Sequence, residues 1–160
     1  MGRGPIALIA VVVAAAMLVA GCGGGDDSSD SSGSISKEEF IAKADAICKE
    51  SSKRMEKELF LFLRKNRTGG SLRKPSVAQN EKFIVTVLIP NLQQEIKELK
   101  ALGVPEGDDE KVDAMIAALE EGLETAEDET ATVAAGTSDM VFGIASRLAG
   151  EYGLETCGSR

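Results

Sequence analysis

Few side chains in this 160-residue sequence could do chemistry. It has no His and no Trp, and its single Tyr is Tyr152. Without imidazole there can be no His-based serine or cysteine hydrolase site, no His-dependent zinc site and no Glu-x-x-His pair of a di-iron bundle. Three cysteines remain, Cys22, Cys48 and Cys157, together with a run of acids from Glu120 to Glu129. An odd number of thiols leaves one over when a pair is made, and that thiol needs its own explanation. Among the acids, Glu120, Glu124, Glu127 and Asp128 share a helical spacing that could line up carboxylates for a divalent cation. Acid/base chemistry or calcium would need ligands converging from elsewhere, and no Asp-x-Asp-x-Asp-Gly loop is present. A solvated acidic face is the simpler reading, so no catalytic residue, metal or cofactor is expected.

The elements that position these residues begin with an apolar run. Arg3 is a minimal basic leader, and the sixteen residues from Pro5 to Ala20 are all apolar. That is short of the roughly 20 needed to cross a hydrocarbon core, and glycines rather than a cationic stop follow it, so residues 1–21 read as an export signal. At its end, Val19-Ala20-Gly21-Cys22 resembles the lipobox of bacterial lipoproteins, with Val19 where Leu is commoner. The resemblance implies cleavage before Cys22, acylation of its thiol with a palmitate-class lipid, and display on the outer face of the cell membrane. Two acyl chains give stable attachment where one is marginal, at ~0.8 kcal/mol per buried CH₂. The alternative is an ordinary cleaved signal with an incidental cysteine.

If lipidation consumes Cys22, Cys48 and Cys157 are left as a pair that can join in an oxidising compartment; the alternative is two buried free thiols. Removing Arg3 with the signal takes the formal charge from −8 to −9, with 17 basic against 26 acidic residues. Such a balance lacks the basic footprint that phosphate backbones require, which excludes nucleic acid as the main partner.

Residues 22–35 form a Gly/Ser/Asp tether with almost nothing apolar to bury, spanning roughly 20 Å at ~5–6 Å × √n. The domain is 36–160. Ser36 and Glu39 form a capping-box pattern opening a long first helix, with Phe40, Ala44, Ile47, Ser51, Met55, Leu59 and Phe62 as its stripe. Ser76 and Gln79 repeat the pattern ahead of a second helix with Ile84, Val85, Leu88, Leu92, Ile96, Leu99 and Leu102 inward, Phe83 and Val87 off the stripe and Pro90 as a kink. Asp108, Asp109 and Glu110 open a third, whose stripe is Val112, Met115, Ile116, Leu119, Leu123 and Ala126. Residues 131–137 read as a small-residue linker. Ser138 starts a short fourth helix carrying Met140, Val141, Ile144, Ala145, Leu148 and Tyr152, with Gly153 as its C′ glycine and Leu154 as the hydrophobic partner.

Phe40-Ile41-Ala42-Lys43-Ala44-Asp45-Ala46-Ile47-Cys48 and Tyr152-Gly153-Leu154-Glu155-Thr156-Cys157-Gly158 together resemble small actinobacterial lipoproteins with a Phe-Ile-x-x-Ala-Asp-x-Ile-Cys helix and a Tyr-Gly-Leu-x-x-Cys-Gly ending. Ser51-Ser52 departs from the Ala-Asn expected there. The resemblance strengthens the Cys48–Cys157 pairing and implies no activity.

One stretch is an outlier on an acidic chain. Leu59-Phe60-Leu61-Phe62-Leu63 wraps a helix completely, since successive residues turn by 100°. With Leu59 and Phe62 facing the core, Leu61 points away and Phe60 lies on the flank. Arg64, Lys65, Arg67, Arg73 and Lys74 follow. Phe60, Leu61 and these five cations are the candidate contact surface, for an envelope protein or for an anionic polymer or headgroup; a covered collar and a solvated loop are the alternative. The expected fold class is all-α, a small antiparallel bundle of about four helices. The expected function is a non-catalytic binding or structural module of the cell envelope, anchored through lipid on Cys22. An extracytoplasmic carrier is the second reading, holding a small apolar ligand among Phe83, Val87, Met115 and Met140.

Overall fold

A computed structural model describes residues 35–66 and 75–159. The signal segment, Cys22 and its tether up to residue 34, and Arg67, Arg73 and Lys74 of the contact surface lie outside them. The described residues are helical, with no strand among them. Helix α1 spans Lys37–Lys65. A second rod is built from α2 (Val77–Phe83), a π turn (Ile84–Leu88) and α3 (Ile89–Lys100). Then come α4 (Asp109–Asp128), one turn of α5 (Thr130–Thr132), α6 (Ser138–Tyr152) and the short α7 (Glu155–Gly158).

Local chemistry explains the ends. The Ser36 hydroxyl accepts from the Glu39 N–H at 3.1 Å, with two acids in the first turn of α1 and Arg64 and Lys65 in its last, as the helix dipole favours. At Ser76 the box is reciprocal: its hydroxyl accepts from Gln79 N at 3.2 Å, and its own N–H donates to Gln79 Oε1 at 2.9 Å. At the end of α6, Gly153 sits at φ 107°. The N–H groups of Gly153 and Leu154 donate to the carbonyls of Gly150 and Ala149 at 3.1 and 2.9 Å, which is a Schellman end. Leu154, the expected hydrophobic partner, is completely buried.

Helix pairing is antiparallel. Phe62 stacks edge-on against Phe83, while Arg54 meets Asn91 and Glu98. Gln93 bonds Glu127, and Lys100 pairs with Glu120. Gly122 abuts Phe142, and Asp108 bonds Tyr152. The main core joins Phe40, Ala44 and Cys48 of α1, Leu92, Ile96 and Leu99 of α3, Val112, Met115, Ile116 and Leu119 of α4, and Ala145, Ala149 and Tyr152 of α6. A chain this polar holds together because each helix buries one such stripe.

Three sequence expectations about the first two helices and the 131–137 segment fail, each for a packing reason. Val85 is 54 % exposed and Val87 is buried, the reverse of the expected stripe. Pro90 has no N–H for the Thr86 carbonyl and its ring crowds that carbonyl. The π turn just before it, closed by Ile89 N–H to Ile84 C=O, absorbs one extra residue and slips the buried face by one position. The expected linker at 131–137 is not idle either: Val133 and Ala134 are buried with Ile84 and Ala126 in a second, smaller core. Gly136, at φ 120°, breaks the helical path there. Finally, Leu59 is 39 % exposed rather than core-facing, and Leu61 is half-buried rather than pointing away, because the last turns of α1 run beyond the main core.

Candidate functional site

α1 packs on α3, α3 on α4 and α4 on α6, but α1 and α6 barely touch along their lengths. They are joined instead at one end, through α7. The seam between them opens into a cleft of about 450 Å³. Its α1 wall carries Ser52 and Met55, its α6 wall Phe142 and Ser146, and its floor Leu92 of α3 and Met115 of α4. The lining is chiefly apolar, and the volume lies within the range of small-molecule sites, roughly 300–1,000 Å³.

Of the residues expected to line such a cavity, only Met115 does. Met140 is 79 % exposed, Val87 packs at the π turn and Phe83 stacks on Phe62. Phe142 takes the place expected of Met140. The rotation of α6 has a visible cause: Gly122 of α4 receives the Phe142 ring, and a Cβ at Gly122 would stand 2.6 Å from that ring. With Phe142 seated there, Ala145, Ala149 and Tyr152 face inward and Ile144 faces out.

Two of the residues that line the cleft are polar and buried, Ser51 and Glu95. Glu95 Oε1 lies 3.7 Å from Cys48 Sγ; the oxidised sulfur has no hydrogen to donate, so this is a contact. Glu95 is not part of the expected apolar stripe, although its spacing from Leu92 and Leu99, three and four residues, puts it on the inward face. The four carboxylates considered for a cation do not converge: Glu120 pairs with Lys100, Glu127 accepts from Gln93, and Glu124 and Asp128 are exposed.

The closed end of the cleft is a clasp. Cys48 and Cys157 form a disulfide across a sequence separation of 109 residues. Asp45, three residues before Cys48, caps α7: its Oδ2 accepts from Glu155 N at 3.0 Å, and its Oδ1 from Thr156 N at 2.8 Å and Cys157 N at 3.2 Å. One carboxylate thus takes three N–H groups that lack helical partners. Phe40 packs edge-on against Tyr152 with ring centroids 5.8 Å apart. Ile41 reaches the open side of Gly153, and Gly158 lies so close to Gly150 that a Cβ on it would come within 2.6 Å. The two separate motifs of the sequence are therefore the two halves of one contact.

Beside the clasp, the Tyr152 hydroxyl donates to Asp108 Oδ2 at 2.8 Å, Lys111 pairs with the same carboxylate at 3.1 Å, and Lys37 lies 3.6 Å from it. The Tyr152 hydrogen bond, followed by that of Lys111, holds the Asp108 carboxyl below the usual range. Burial, followed by the same bond, pushes the Tyr152 phenol well up. Asp108 stands at the N-cap of α4, ahead of Asp109 and Glu110 in the first turn, as the charge pattern predicts; its side chain makes no cap hydrogen bond and is engaged by Tyr152 and the two lysines.

Of the contact surface, Phe60 is 63 % exposed, Arg64 and Lys65 are exposed, and Leu61 is half-buried. No helix among the described residues is long and apolar enough to cross a membrane. Compared with known protein families, curated proteins and solved structures, the chain finds no match.

Proposed function

We propose that this protein is an exported, lipid-anchored, non-catalytic binding module of the cell envelope, and that its ligand is a small apolar molecule held between α1 and α6. One observation carries the ligand reading, the chiefly apolar cleft of about 450 Å³ at the seam where the two helices do not pack. A cavity of ~150 Å³ already holds benzene, so this one suits a molecule of up to roughly three such rings. The chemistry of the lining suits burial of apolar surface with little polar recognition, which is the demand of a carrier or sensor rather than of an enzyme. The anchor rests on the Val19-Ala20-Gly21-Cys22 pattern and on cysteine arithmetic, since a disulfide between Cys48 and Cys157 leaves Cys22 for lipid.

N-phenyl-1-naphthylamine, an uncharged fluorophore of that size, tests the cleft. Its emission should rise and shift to the blue on binding, and Ala145→Phe, which projects a ring into the cleft, should abolish the change while leaving the helical circular dichroism intact. No enhancement with the unaltered protein, or equal enhancement with Ala145→Phe, would remove the carrier reading. Intact-mass analysis of the protein from its own membrane fraction tests the anchor: a chain beginning at diacylglyceryl-modified Cys22 supports it, and an unlipidated chain refutes it.

A further inference from the structure

The chiefly apolar cleft between α1 and α6 has an acid at its inner end. Leu92 and Leu99 of α3 belong to its lining, and between them on the same face Glu95 lines it too, completely buried. Glu95 Oε1 lies 3.7 Å from Cys48 Sγ, so the acid stands against the disulfide of the clasp. Ser51, one turn along α1 from Cys48, is buried and lines the cleft as well.

The charge of the lining has one sign. Its charged residues are Glu95 inside and Glu56, exposed, at the rim. Among the described residues no Lys or Arg lines the cleft, and Arg54 of α1 is engaged by Asn91 and Glu98. An apolar residue at position 95 would continue the stripe of Leu92, Ile96 and Leu99 and would avoid the cost of burying an acid. A buried charge is a poor source of stability, whereas a few placed polar groups are what orient a ligand in an otherwise apolar pocket.

We infer that the ligand carries one cationic nitrogen, an ammonium that Glu95 receives at the inner end while the apolar body lies along the cleft toward Met55 and Phe142. Such a ligand presupposes the carrier reading and narrows it to one chemical class, small amphiphilic amines. A carboxylate offers about four lone-pair sites, so the contacts that Glu95 makes within the protein leave room for an N–H donor, and the Ser51 hydroxyl can accept another. Charge-assisted hydrogen bonds are stronger than neutral ones, and the low-dielectric walls strengthen them further. A carboxylate or phosphate head would instead meet like charge from Glu95 and Glu56. Length fits as well. Leu88 to Glu95 and Phe142 to Ala149 are each seven residues apart, about 10 Å at 1.5 Å per residue, which accommodates a two-ring body with a one-carbon amine arm.

Displacement of N-phenyl-1-naphthylamine from the full protein tests the inference with compounds that share a naphthalene ring: 1-naphthylmethylamine, protonated at neutral pH, its uncharged isostere 1-ethylnaphthalene, 1-naphthalenemethanol and anionic 1-naphthoate. On the unaltered protein the amine should displace the fluorophore at about tenfold lower concentration than 1-ethylnaphthalene, the size of one charge-assisted hydrogen bond. The alcohol should fall between these two, and the naphthoate should displace the fluorophore least. Glu95→Gln should bring the ratio of amine to ethylnaphthalene near one, and Glu56→Gln should lower it less, because the charge of Glu56 is screened by water. The order on the unaltered protein is read without any substitution, so it decides even where Glu95→Gln folds poorly. Fluorophore binding with equal displacement by amine and ethylnaphthalene, an alcohol as strong as the amine, or a ratio that survives Glu95→Gln overturns the inference and leaves the carrier reading standing. No binding of the fluorophore at all overturns both.

Discussion

Asp45→Ala isolates the capping half of the clasp from its covalent half. Asp45 accepts three N–H groups of α7, at 3.0, 2.8 and 3.2 Å. Hydrogen bonds to a charged acceptor contribute about 1.5–3 kcal/mol each at most, whereas a single cap substitution costs about 0.5–2 kcal/mol. The exposed Glu155 N–H can turn to water, but those of Thr156 and Cys157 are partly buried and have a less complete substitute. The expected loss is therefore about 2 kcal/mol, with Asp45→Asn near half of that because one carbonyl oxygen can still take the two inner donors. In a domain of this size the thermal midpoint should fall by roughly 6–8 °C for Asp45→Ala. Urea denaturation without reductant measures both variants with the disulfide in place, and equal slopes would show that only stability has changed. A loss below ~0.5 kcal/mol for Asp45→Ala, or an Asn variant weaker than the Ala variant, would refute the reasoning, since surface substitutions without a structural role fall in that range.

The other predictions concern the staple, the seat of Phe142 and the tyrosine pair. Reducing the disulfide opens a loop of 109 residues, for which chain-entropy reasoning gives a loss of about 4–5 kcal/mol, read as a large drop in the urea midpoint in the presence of a phosphine reductant. Gly122→Ala places a Cβ 2.6 Å from the Phe142 ring; overpacking of about 1–3 kcal/mol should outweigh the gain in helix propensity, and the displaced ring should lower naphthylamine binding in the fluorescence titration. Because Asp108 is held below its unfolded range by Tyr152 and then Lys111, its contribution to stability is present above the unfolded carboxyl pKa of about 3.9 and is lost as pH falls through the lower folded value. The Tyr152 phenol is raised by burial and by Asp108, so its contribution is present below about pH 10 and is lost as pH rises toward the folded value. Tyr152→Phe should flatten both limbs of a plot of urea midpoint against pH; an unchanged acid limb would separate Asp108 from Tyr152.

Much of the fold was legible because its signals act within one or two turns. Ser36 and Ser76 announce helix starts through their own hydroxyls, Gly153 and Leu154 announce the end of α6, and the α4 stripe repeats every three or four residues. A polar chain with four such stripes has little choice but a helical bundle. Cys48 and Cys157 were also readable as partners, from cysteine arithmetic and from the motifs that surround them.

Tertiary structure decided what lies between the stripes. The slip at the π turn, which buries Val87 and exposes Val85, follows from Pro90 but takes its phase from the neighbours on which Ile84 packs. Whether Met140 or Phe142 faces inward depended on Gly122, twenty residues before Phe142 and on another helix. Asp45 looks like any surface acid of a first helix until α7 is brought to it from 110 residues away. The cleft has no sequence signature, because it exists only where α1 and α6 do not pack. Local periodicity specifies that each helix buries a face, but the phase of that face, a cavity and a distant cap are relations between helices, and only the packed bundle sets them.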